Sequence, residues 1–74
     1  MGKLPVVSGQ EAVKVFEKVG YQLDHQTGSH MILRRVHPPF RRLTVPNHKE
    51  LAKGTLRSLI RESGLTVEEF SRLL

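Results

Sequence analysis

Histidine and arginine set the chemistry available to this chain. Gly28 to Pro46 reads Gly-Ser-His-Met-Ile-Leu-Arg-Arg-Val-His-Pro-Pro-Phe-Arg-Arg-Leu-Thr-Val-Pro. A glycine turn delivers His30 onto an apolar, β-branched run that reads as a strand. Arg34, Arg35, Arg41 and Arg42 flank a bend at Pro38-Pro39-Phe40 that is too rigid to stay extended. An unperturbed imidazole titrates at about pH 6.5, so both of its protonation states are accessible at neutral pH. Guanidinium groups bind phosphate in a fixed fork geometry. A histidine held among arginines on a strand therefore suits gripping or cutting a phosphodiester chain, with His30 as general base or acid.

Other chemistries find less support. Ser29 and His30 are adjacent, and successive strand residues point to opposite faces, so they do not form a nucleophile and its base. Neither a Gly-x-Ser-x-Gly elbow nor a Gly-x-x-x-x-Gly-Lys-Ser/Thr phosphate loop occurs. There are four histidines and no cysteine. This excludes disulfides, thiolate zinc sites and thiol nucleophiles, and it suits a reducing compartment. His25 and His30 have no nearby acid that completes a familiar zinc set, so no metal and no small-molecule cofactor is expected.

Charge points to the same stretch. The chain has 74 residues and a formal net charge of +5, but His25 to Arg61 holds eight Lys or Arg against one acid, Glu50. Such a concentration suits a polyanion or an acidic protein partner. The longest early apolar run, Leu4–Val7, is too short for a signal peptide or membrane span, and Met1-Gly2-Lys3-Leu4-Pro5-Val6 lacks the Ser or Thr of a myristoylation signal. We expect one domain across residues 1–74, cytoplasmic and without a membrane.

The positioning elements follow from local pattern. Ser8-Gly9-Gln10-Glu11 is a capping box. It opens a helix at about residues 9–19 whose core stripe is Ala12, Val13, Phe16 and Val19, with Gly20 at its end. Tyr21 to His25 alternates, placing Tyr21, Leu23 and His25 on one face of a strand. Gln26-Thr27-Gly28 reads as a three-residue hairpin loop into Ser29–Val36, and Arg42–Val45 completes a three-stranded antiparallel meander. If Met31 and Leu33 pack inward, Ile32 shares the outer face with His30 and Arg34. Lys49 to Lys53 reads as a loop or a short, weak helical turn. A helix from Gly54-Thr55 to Gly64 buries Leu56, Leu59 and Ile60 and spaces Lys53, Arg57 and Arg61 four apart. Thr66-Val67-Glu68-Glu69 is a second capping box, before a terminal helix that packs through Val67, Phe70, Leu73 and Leu74.

These residues, in this order, carry a resemblance. Gly28-Ser29-His30 opens the second strand and Val45-Pro46-x-His48 closes the third. Lys53-Gly54-Thr55-Leu56-Arg57-x-x-Ile60 then runs into Gly64-Leu65-Thr66-x-Glu68-Glu69-Phe70. The set spans nearly the whole chain and resembles the HicA family of bacterial toxins. The resemblance implies an α+β fold, α-β-β-β-α like that of double-stranded-RNA-binding domains, here with a short extra C-terminal helix. It also implies metal-independent cleavage of mRNA as single-stranded RNA, and a HicB-type antitoxin that covers the active site. The family's catalytic histidine falls on His30. We expect Arg34 or Arg35, with Lys53 and Arg57, to bind phosphate; Ser29, Arg41, Arg42, His48 and Arg61 complete the RNA-contacting set. A non-catalytic RNA-binding module and a basic domain for an acidic protein partner are the alternative readings.

Overall fold

The computed structural model describes residues 3–74. Met1 and Gly2, which the lipidation argument used, lie outside the described residues. The element order is α1 (Gly9–Lys18), β1 (Tyr21–Thr27), β2 (His30–Arg35), β3 (Arg42–Pro46), α2 (Lys53–Ser63) and α3 (Val67–Arg72). This is the expected α+β arrangement with its extra helix. The strands form one antiparallel sheet in the order β1-β2-β3. No helix among the described residues is long and apolar enough to cross a membrane.

Both capping boxes form, satisfying backbone N–H groups that the first helical turn leaves unpaired. Ser8 Oγ accepts from the Glu11 N–H at 3.1 Å while Glu11 Oε1 accepts from the Ser8 N–H at 2.8 Å, and Thr66 and Glu69 repeat the exchange at the start of α3. α2 has no such cap: its N-cap is Ala52. Gly64 ends α2 in the left-handed conformation, φ 84°, where glycine lacks the Cβ penalty.

One apolar layer fastens the helices to the inner sheet face. Met31, Leu33, Leu43 and Val45 are buried there with Phe16 of α1, Leu56 and Ile60 of α2 and Phe70 of α3. The Phe16 ring meets Tyr21 edge-on at 6.1 Å and lies 5.5 Å from Phe70, giving the core its aromatic centre. The loop after β3 is pinned as well: Gly9 N–H donates to His48 O, Leu51 N–H to Val7 O, and Leu51 is buried. Leu74 departs from expectation, being about half exposed at the end of the chain.

The hairpin also differs from expectation. β1 continues to Thr27, which pairs with His30, so the turn is the two residues Gly28-Ser29. Gly28 has φ 56°, and no non-glycine residue among the described residues has positive φ. A glycine at the first central position is what a type II′ turn demands. β1 also contains a bulge: Leu23 pairs with Leu33 and His25 with Ile32, leaving Asp24 over. The extra residue reverses the alternation, so His25 leaves the face of Tyr21 and Leu23 and joins the outer one.

Candidate functional site

The outer face of the sheet is open, and the register fixes its contents. Cross-strand partners share a face. One row is Gln22, Arg34 and Arg42; the next is His25, Ile32 and Thr44; the last is Thr27, His30 and Pro46. Met31 and Leu33 point inward and are buried, while His30 and Arg34 are exposed. The strand thus carries the imidazole and a guanidinium on its solvent side, four residues apart with Ile32 midway between them.

Arg34 and Arg42 stand directly opposite one another. Like charges in that position repel and weaken a sheet. Partial compensation comes from Asp24, whose Oδ1 lies 3.9 Å from Arg34 Nη2. The other oxygen of Asp24 accepts a hydrogen bond from His25 Nδ1 at 2.7 Å. That bond, followed by the positive charges of Arg34 and Arg42, holds the Asp24 carboxyl below its ordinary range. An ionised carboxylate only accepts, so His25 Nδ1 carries the hydrogen and Nε2 is left for another partner. No group of three His, Cys, Asp or Glu that could hold a metal occurs among the described residues.

The remaining candidates separate. Arg35 pairs with Tyr21 on the inner face and is half-buried, its Nε without a hydrogen-bond partner. Arg41 donates from Nη1 to Glu62 O at 2.9 Å, which ties the β2–β3 bend to the end of α2. Ser29 serves through its backbone: its carbonyl accepts from the Asn47 N–H at 2.6 Å, joining the turn to the end of β3. His48 sits in the loop against the start of α1, lining a shallow hollow with Ser8 and Gln10.

Lys53, Arg57 and Arg61 are exposed but turned away from the sheet face. At about 100° per residue, α2 divides into three sectors roughly a third of a turn apart. Leu56, Leu59, Ile60 and Ser63 face the core. Gly54, Thr55, Ser58 and Glu62 border an open cleft with Arg42 and Thr44 of β3. The basic stripe occupies the third sector. Pattern reasoning found the stripe, but its distance from His30 depends on how α2 rolls against β3.

Sequence reasoning weighed His25 only as a metal ligand and gave Asp24 no role, whereas the register brings His25 to the outer face with Asp24 bonded to it. The bulge that re-aims them lacks a glycine or proline to announce it, and regular alternation assigned His25 to the wrong face. Comparison with known proteins adds the final observation. No curated protein matches the chain. The model of the family described as HicA toxin of bacterial toxin-antitoxin matches residues 9–65, from the first residue of α1 to just beyond α2.

Proposed function

Since the chain belongs to the HicA toxin family, we propose that it is an endoribonuclease of toxin type that cleaves mRNA in the cytoplasm by metal-independent acid/base chemistry centred on His30. A HicB-type antitoxin neutralises it by covering the outer sheet face. The observation that carries this reading is the pairing of Arg34 with Arg42 on the face that also bears His30. Two opposed guanidinium groups are mildly unfavourable alone and favourable once a phosphate lies between them. The same charges stabilise the pentacoordinate phosphorus of the transition state, while His30 moves a proton to or from a reacting oxygen.

Cleavage of a defined single-stranded RNA in EDTA by the purified protein and by His30→Ala tests it. Activity that survives EDTA and falls about 10²–10⁴-fold in the folded variant is expected. Equal cutting by both would remove His30 from the mechanism. Salt-sensitive RNA binding without cutting would leave a binding module instead.

A further inference from the structure

RNA cleavage through the 2′-hydroxyl needs two proton transfers, one from the attacking oxygen and one to the leaving oxygen. His30 performs one of them under the reading above, on which this inference rests. We propose that His25, oriented by Asp24, is the second proton-transfer group of the site.

Three observations carry it. The bulge between Leu23 and His25 places His25 opposite Ile32 and Thr27 opposite His30, so the two imidazoles are diagonal neighbours on the outer face. The backbones of diagonal positions lie about 7–8 Å apart, within reach of aromatic and long side chains. Each ring nitrogen must come within about 2.6–3.2 Å of its oxygen, and two imidazoles on diagonal positions of one face can both reach a single phosphodiester. Next, the 2.7 Å bond from His25 Nδ1 to Asp24 fixes the ring and directs Nε2 away from its carboxylate. Adjacent strand residues ordinarily diverge; here the bulge brings them together, as bulges beside active sites commonly do. Lastly, Asp24 offers the counter-charge that a protonated ring at His25 requires.

The roles follow. The ribose 2′-hydroxyl gives its proton to His30 as its oxygen bonds to phosphorus. The P–O5′ bond breaks with its electron pair on O5′, which takes the proton from His25 Nε2. The products are a 2′,3′-cyclic phosphate and a 5′-hydroxyl, and the two rings regain their starting protonation by exchange with water. Arg34 and His30 on β2 and Arg42 on β3 are the other charged or titratable groups on His25's face; α1 packs on the opposite one. Asp24 is a positioning residue and does not touch the substrate.

The test uses an RNA with one cleavable linkage and a second version in which sulfur replaces the bridging 5′ oxygen there, because a thiolate leaves without a proton. His25→Ala is expected to cleave the ordinary RNA about 10²–10⁴-fold more slowly and the sulfur-linked RNA at close to the unsubstituted protein's rate. His30→Ala stays slow on both. Asp24→Asn lowers kcat on the ordinary RNA with KM unchanged and recovers on the sulfur-linked RNA, which a purely structural role would not do. Ordinary RNA cut by His25→Ala at full rate, or both RNAs cut equally slowly, would overturn the role of His25 alone. Loss of the His30 dependence would overturn the ribonuclease reading and this inference with it.

Discussion

Gly9→Ala should destabilise the protein even though alanine is the better helix former. Gly9 begins α1 where the helix meets the loop that follows β3, and its N–H donates to His48 O at 2.9 Å. A Cβ at residue 9 would overlap the Pro46 carbonyl oxygen and lie 3.1 Å from the Pro46 carbonyl carbon and 3.2 Å from Asn47 Cα. All three are backbone atoms, so no rotamer change relieves the clash. Overpacking of this kind costs about 1–3 kcal/mol, and separating helix from loop forfeits about 0.5–1.5 kcal/mol of hydrogen bonding. The restricted unfolded chain returns about 0.4–1 kcal/mol. The net is a loss of about 2 kcal/mol, or a Tm lowered by about 8–16 °C in a chain of this size. Gly54 is the control. It lies in the first turn of α2, and a Cβ added there would have nothing within 4 Å, so Gly54→Ala should gain about 0.4–1 kcal/mol. Thermal melts followed by circular dichroism read both, and shifts of the same sign would refute the packing argument. Because Pro46 pairs with His30, Gly9→Ala should also slow RNA cleavage.

Three more outcomes are expected. The Tyr21 hydroxyl is buried without a partner among the described residues, so Tyr21→Phe should be neutral or stabilising by up to about 1 kcal/mol; a clear loss in urea titration would show that the hydroxyl is satisfied after all. Replacing Arg34 and Arg42 together by Gln should reduce the slope of log affinity against log salt for single-stranded RNA by about 1.4 and slow single-turnover cleavage, while Arg57→Gln leaves the cleavage rate unchanged; equal slowing would mean that RNA reaches round α2. Asp24 and Glu69 are both held below their ordinary range, Asp24 by the His25 hydrogen bond and Glu69 by its bonds with Thr66. Each contributes stability that is present above its unfolded pKa and lost as pH falls through its folded one. The Asp24→Asn, Glu69→Gln double variant should therefore show a flatter decline in stability below about pH 4, and an unchanged decline in acid titration would refute the linkage.

Local chemistry alone determined much of this protein. Ser8-x-x-Glu11 and Thr66-x-x-Glu69 set two helix starts because a capping box is complete within four residues. Met31, Ile32 and Leu33 are all apolar, so their pattern left open which side of β2 faces the core; the burial of Met31 and Leu33 decided it and put His30 and Arg34 on the other side. Tertiary structure decided what depends on partners distant in sequence. The Gly28-Ser29 turn and the Asp24 bulge are properties of the β1–β2 register, which the pairing of both strands fixes together. The bulge adds one residue, and one residue is enough to carry His25 across the sheet to the side of His30. The roll of α2 is likewise fixed by Leu56, Leu59 and Ile60 seating in the core, and that packing turns Lys53, Arg57 and Arg61 away from the face that their charge alone suggested they would serve.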